Sequence, residues 1–280
     1  MLPHILGIDH VLIRAGEAMD AAADAWARLG FRMTPRGHHS SGSINHLIML
    51  GPDYLELIGV PEGGAARRPE LAQQPPGLHG IAFAADSASG AHAALAKAGF
   101  APPPVEALSR PVNTAEGPRE ARFNLVRLPA DTVPWGRLLV CEHLTRELVW
   151  RDGLRSHPNG AREITRITVV VPNPGEAAQR VATLFAEVST RSDEGRAELV
   201  LGHVRLELIT ARTLQHRLGE FAPEAGGRSA YMAALELRCT DLAATRAALR
   251  AMPPGEVNDQ GSRLTVAARR AGNTTLEFID

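Results

Sequence analysis

Four short segments carry a glutamate between apolar or mixed neighbours: Tyr54-Leu55-Glu56-Leu57, Val140-Cys141-Glu142-His143, Arg205-Leu206-Glu207-Leu208 and Thr275-Leu276-Glu277-Phe278. Side chains alternate along a strand, so Tyr54, Glu56 and Ile58 face one side while Leu55 and Leu57 face the other. A carboxylate in such company needs a partner, and the many arginines of the chain offer one. Two histidines stand at matched places upstream. His10 lies 21 positions before Phe31 of a Gly-Phe pair, and His79 lies 21 positions before Phe100 of another. Imidazole and carboxylate brought to one surface are the groups that take and return protons near neutral pH.

The elements that would position these residues repeat. Residues 8–13 read as a strand, 19–29 as an Ala-rich helix and Gly30-Phe31 as its exit. Residues 78–83, 88–98 and Gly99-Phe100 then repeat the pattern without a gap. Shorter strands follow at 45–50 and 54–60 in the first unit, and at 121–128 and 137–144 in the second. Gly51-Pro52-Asp53 marks a turn between the first pair. The order returns at 164–171, with a helix at 175–186 and strands at 197–201 and 203–209. A fourth copy has strands at 231–239, 263–268 and 274–279, with a helix at 242–251 capped by Thr240 or Asp241. The chain therefore reads as α+β, four βαβββ units paired into two domains. These are 1–145 (units 4–60 and 77–145) and 162–280 (units 162–210 and 229–280).

Ile8-Asp9-His10-Val11, the Gly-Phe helix exits, Asp53-Tyr54-Leu55-Glu56-Leu57 and the fourfold grammar together resemble the vicinal oxygen chelate superfamily, and most closely its glyoxalase-like domain proteins. The resemblance implies paired half-barrels of the glyoxalase, bleomycin-resistance and dioxygenase type. Carried over position by position, it implies a divalent metal (Mn, Fe, Co, Ni or Zn) held by His10, Glu56, His79 and Glu142. A dioxygenase-like variant would use His10, His79 and Glu142. Glu56 and Glu142 are the implied catalytic carboxylates, and the implied function is a metal-dependent lyase, isomerase or dioxygenase acting on a small oxygen-rich metabolite. A metal-free small-molecule binding or resistance protein is the alternative. In the second half the same counting reaches Arg166 and Tyr231, neither a usual ligand, so Glu207 and Glu277 read as inherited carboxylates or as partners for arginines. That half is expected to be structural.

Other residues compete for roles. His10 also suits a hydrogen-bonded core histidine, and His143 is a rival ligand whose position beside Glu142 points it to the opposite face. Loop 35–43, with His38 and His39, and the following Asn45 form a polar rim. His39, Asn45, His143 and Trp150 are the expected substrate contacts, although Trp150, Arg151 and His157 would equally tie the two halves together.

The 280 residues hold 44% hydrophobic and 22% charged side chains, enough to bury a core, with a formal net charge of −1. That charge and an aromatic share of 4% argue against nucleic-acid and anionic-membrane surfaces. Two cysteines make no disulfide framework. No stretch approaches the ~18 apolar residues of a membrane span, and no signal-peptide pattern opens the chain. The expected protein is cytoplasmic, its partners a small molecule and at most a second copy of itself. One lysine among 30 basic residues suggests a bacterium with a GC-rich genome. Dinucleotide, P-loop and nucleophile-elbow motifs are missing.

Overall fold

A computed structural model of the chain describes residues 1–72, 75–151, 153–184, 190–193 and 195–280. The first half contributes β1 (Ile5–Gly16), α1 (Met19–Arg28), β2 (Gly37–His38), β3 (Ile44–Met49), β4 (Tyr54–Gly59), α2 (Pro69–Ala72), β5 (Gly77–Ala85), α3 (Ala88–Lys97), β6 (Glu106–Thr114), β7 (Gly117–Arg127) and β8 (Arg137–His143). The second contributes β9 (Ala161–Val170), α4 (Pro174–Ala182), β10 (Thr190–Asp193), β11 (Arg196–Leu201), β12 (Val204–Ile209), α5 (Ala211–Leu218), β13 (Tyr231–Cys239), α6 (Leu242–Leu249), β14 (Val257–Asp259), β15 (Arg263–Val266) and β16 (Thr275–Ile279). Each half forms one sheet, ordered β2-β3-β4-β1-β5-β8-β7-β6 and β10-β11-β12-β9-β13-β16-β15-β14. The two sheets have the same topology. In each, the first strand of one unit pairs antiparallel with the first strand of the next, as β1 with β5 and β9 with β13.

Strand alternation divides each sheet into two faces. On the first, Val11, Ile13, Leu55, Leu57, Ile81 and Phe83 join one apolar cluster that continues into the second half through Ile167, Leu206, Leu235 and Phe278. The opposite face of the first sheet carries Leu12, Tyr54, Ile58, Ala82, Phe123, Leu125 and Leu139. Gly30 and Gly99, at φ +84° and +91°, provide the left-handed exits of α1 and α3. Asp241 caps α6, its Oδ1 accepting from Ala243 N at 2.7 Å. The expected helix at 175–186 ends at Ala182; residues 185 and 186 lie outside the described residues.

Two sizeable elements were not expected from the sequence. β6 carries polar residues and Pro111, which a strand tolerates at a sheet edge. The short α5 starts at Thr210, whose hydroxyl accepts from Thr213 N at 3.2 Å. Among the described residues no helix is long and apolar enough to cross a membrane.

Buried polar residues tie the halves together. Asp53, fully buried, accepts from Ile164 N and from His203 Nε2, the latter at 2.8 Å. His157 bridges Arg32 N and the Met49 carbonyl, and Asn159 Nδ2 donates to Leu29 O at 2.9 Å.

Candidate active site

One face of the first sheet carries a partly open cleft, about 560 Å³ with its open mouth included. Its walls follow the alternation of the strands: His10 and Leu12 from β1, Tyr54, Glu56 and Ile58 from β4, Leu108 and Arg110 from β6, Phe123 and Leu125 from β7, and Leu139 and Cys141 from β8. His39, Ser41 and Ser43 of the polar loop and Asn45 of β3 complete it. A mostly apolar cleft with a few converging polar groups is the usual form of a small-molecule site.

Glu56 is the centre of those polar groups. Its side chain is buried, and Oε1 accepts from Asn45 Nδ2 at 2.7 Å. His10 Nε2 faces Glu56 Oε2 at 3.4 Å, and His39 Nε2 lies 3.9 Å from Oε1. The His10 ring stacks on Tyr54 with centroids 4.4 Å apart, and its Nδ1 donates to Asp9 Oδ2 at 2.7 Å. With Nδ1–H committed to Asp9, Nε2 and the Glu56 oxygen are two acceptors facing each other.

A bulge makes this chain of groups. The β1–β5 register steps from Ile8 opposite Phe83 to His10 opposite Ala82, leaving Asp9 as the extra residue. Adjacent residues of a regular strand point apart, and a bulge re-aims one of them. Asp9 Oδ2 also accepts from His143 Nε2 at 2.9 Å. Burial opposes the Asp9 charge, but hydrogen bonds from His10 and His143 hold its carboxyl well below the usual carboxylate range. Burial pushes the His39 imidazole down to about 4, so that ring is neutral near pH 7.

The structure therefore brings together four of the residues singled out from the sequence: His10, His39, Asn45 and Glu56. His143 and Trp150 stand one layer behind. Their rings meet edge to face at 5.0 Å, and both pack edge-on against Tyr54. Trp150 Nε1 donates to Gly51 O at 3.3 Å, so Trp150 braces the site from behind.

His79 and Glu142 are elsewhere, which corrects the expectation of a four-ligand centre. A second β1–β5 bulge, between Leu12 opposite Gly80 and Ile13 opposite Leu78, leaves His79 as its extra residue. There it bonds Arg14 Nη2 in a separate cavity beside Trp135 and Arg137. Burial and Arg14 push its imidazole down to about 3. Glu142 follows the cleft-lining Cys141, so alternation turns it to the other face. Its Oε2 accepts from Ala88 N at 3.1 Å, at the start of α3, and from Asn124 Nδ2 at 3.0 Å. With Glu142 opposite Ala85 on the parallel strand, His79 lies six positions, roughly 20 Å, away along the sheet. Metal–ligand bonds of about 2 Å cannot close that gap, so the implied quartet does not fit one ion.

Among the described residues, donor atoms of Asp9, Cys141 and His143 do fall within 4.8 Å of one another. Burial pushes the Cys141 thiol well above its ordinary pKa, which keeps it protonated. Asp9 Oδ1 and His143 Nδ1 are buried without hydrogen-bond partners. Asp9 carried little signal in the sequence, because a regular strand would turn it away from His10. Arg110, on the unexpected β6, carried none.

The second half treats the matched positions differently. Arg166 holds the place of His10, with Glu207 following on the neighbouring strand as Glu56 does. Arg166 Nη2 lies 2.8 Å from Glu236 Oε2 and 2.9 Å from Glu277 Oε2, and its Nε lies 3.6 Å from Glu207. Arg217 and Arg263 add further pairs to the same carboxylates. The reading of these glutamates as partners for arginines therefore describes the structure.

Comparison with known proteins agrees with this architecture. The family model described as a glyoxalase-like domain matches residues 8–185. A hypothetical protein from Staphylococcus aureus superposes with a TM-score of 0.65 at 10% identity, covering 97% of this chain and 98% of that one. A fusion of a xylose isomerase-like TIM barrel with 4-hydroxyphenylpyruvate dioxygenase gives 0.59 at 18% identity, over 100% of this chain and 50% of the other. A mutant 4-hydroxymandelate synthase from Streptomyces coelicolor gives 0.56 at 14%, over 100% and 93%. At these identities the likeness concerns the fold. No curated protein matches the chain.

Proposed function

The chain belongs to the glyoxalase-like domain family of the vicinal oxygen chelate superfamily, and from that premise we propose an enzyme of lyase or isomerase type that moves a proton on a small oxygen-rich metabolite bound in the N-terminal cleft. The observation that carries this reading is the buried Glu56 carboxylate, which faces the cleft and is backed by His10 and then Asp9. A base held in place by a second group, itself oriented by a third, is the arrangement general acid–base catalysis needs.

In this reading Glu56 takes a proton from a carbon next to a carbonyl. The C–H electron pair moves onto the carbonyl oxygen, and the proton is returned to the same or the neighbouring atom. Asn45 orients the carboxylate, while Asp9 fixes the His10 tautomer, so that the Glu56–His10 pair can hold the proton between the two transfers. The apolar walls exclude water from the reacting carbon.

The test incubates the protein with a panel of small α-hydroxy and α-oxo carboxylates in D₂O and follows loss of the α-proton signal by NMR. Exchange catalysed by wild type and lost in Glu56→Gln is expected. Equal exchange in Glu56→Gln would overturn the reading, and saturable binding without exchange would leave the metal-free binding protein.

A divalent ion is the second reading, favoured by the grouping of Asp9, Cys141 and His143. Dialysis against manganese, iron, cobalt, nickel or zinc, followed by elemental analysis of wild type and Asp9→Asn, distinguishes it. Stoichiometric metal lost in Asp9→Asn supports a centre there, and none in wild type removes it.

A further inference from the structure

Three arginines reach the N-terminal cleft. Two are matched within the protein: Arg127 Nε donates to Glu106 Oε2 at 2.8 Å, and Arg68 bonds Glu70 and, at 3.0 Å, Ser41 Oγ. Arg110 is as deeply buried as Glu56, each residue being 6% exposed. Yet among the described residues no hydrogen bond or ion pair reaches its guanidinium. Leaving a cation in an apolar pocket without a counter-charge is costly. Burial pulls Arg110 below the ordinary arginine range; Tyr54 and Glu56 oppose that, and Arg151 adds to it.

Arg110 is held from both sides and points into the cleft. Alternation on β6 turns Leu108 and Arg110 into the cleft and Ser109 outward, where it bonds Glu120. Ala121, fully buried, is the residue opposite Arg110 on β7. Gly37 flanks it on the other side, where a Cβ would stand 3.3 Å from Arg110 Nη1. The next inward residues, Phe123 and Leu125, form an apolar wall. With no partner among the described residues, the donors of the fork are available for planar, bidentate pairing.

We propose that Arg110 is a specificity residue that receives an anionic group, a carboxylate or a phosphate, of the ligand of this cleft, with the apolar body of the ligand against Phe123, Leu125 and Leu139. This names the substrate class for the reading above and rests on the same cleft, but it does not require proton transfer.

The experiment uses the full chain with benzoate, phenyl phosphate and the neutral benzamide as probes, followed by calorimetric titration and thermal melting. Wild type is expected to bind one or both anions, to be stabilised by them, and to bind benzamide at least about tenfold more weakly. Arg110→Met should weaken anion binding roughly ten- to a hundredfold, the range of a charge-assisted hydrogen-bond pair. Without ligand, Arg110→Met should melt at or above the wild-type temperature, because it removes an uncompensated buried charge; an arginine serving only packing predicts a fall. Binding is read here without turnover, so a failure of the proton-transfer reading stays separable from a failure here. The tighter of the two anions identifies the group recognised. Equal affinity for benzoate and benzamide, no anion binding by wild type, or unchanged anion binding in Arg110→Met would overturn the proposal.

Discussion

The two halves differ at three of four matching sheet positions. His10, Glu56, Ala82 and Leu139 occupy them in the first half, and Arg166, Glu207, Glu236 and Glu277 in the second, as the paired registers of β1, β4, β5 and β8 and of β9, β12, β13 and β16 show. In the second half an arginine and three carboxylates pair with one another, and with Arg217 and Arg263, along the wall of a polar cavity. The first half keeps one carboxylate, exchanges the arginine for an imidazole, and replaces the other two carboxylates with Ala and Leu. What remains is an apolar-walled cleft with a carboxylate at its centre and, in its wall, a guanidinium that no ion pair reaches among the described residues. One scaffold thus carries an ion-paired cluster of arginines and glutamates in one half and, in the other, the apolar-walled cleft proposed above as a ligand site.

The comparison breaks most visibly at Arg166. Its pKa is raised despite burial, through Glu277, Glu236 and Glu207. Removing it in Arg166→Met would leave three buried carboxylates to share Arg217 and Arg263 and should cost about 3 kcal/mol. Urea unfolding should show that loss, or the variant should fail to fold. His10→Ala, at the matching position, removes one stacked ring and its hydrogen bond and should cost less than about 2 kcal/mol.

Acid should separate the halves next. His79 is held at about 3 in the folded chain and near 6.5 when unfolded. A depressed folded value means the unfolded chain binds the proton first, so its stabilisation is complete above pH 6.5 and shrinks as pH falls toward 3. At pH 4 the loss should be on the order of 3 kcal/mol, visible as a falling melting temperature that flattens in His79→Gln. In the second half, burial opposes the charges of Glu207 and Glu236, but Arg217 and Arg166 chiefly hold Glu207 down, and Arg166 chiefly Glu236. Those two carboxylates stay charged until pH drops below the usual glutamate range. Hydrogen exchange between pH 6 and 4.5 should therefore rise first in the first sheet.

Glu142→Gln should have the smallest effect. It weakens the support of the α3 start and should cost about 1 kcal/mol, with anion binding in the cleft unchanged.

Much of this was legible in the sequence, and the failures have physical causes. The 21-position repeat located β1, α1, β5 and α3, and period-two alternation put Tyr54, Glu56 and Ile58 on one face. Arg166 at the place of His10 followed from the same counting. His79 and Glu142 misled because a strand repeat fixes order but not register. One bulge at His79, and the side of β8 to which Glu142 turns, moved both out of the cleft. The bulge at Asp9 acted the other way and gave His10 a partner that alternation would have denied it. Bulges depend on pairing across the sheet, which a single strand sequence does not encode.

The central claim is that the first half does chemistry with the carboxylate that the second half uses as structure. The most direct test compares Glu56→Gln with Glu207→Gln, the same substitution at matching positions, in the α-proton exchange assay, with folding checked by circular dichroism. Exchange lost in Glu56→Gln and retained in folded Glu207→Gln is the expected result. Exchange retained in Glu56→Gln, or lost in a well-folded Glu207→Gln, would contradict the account.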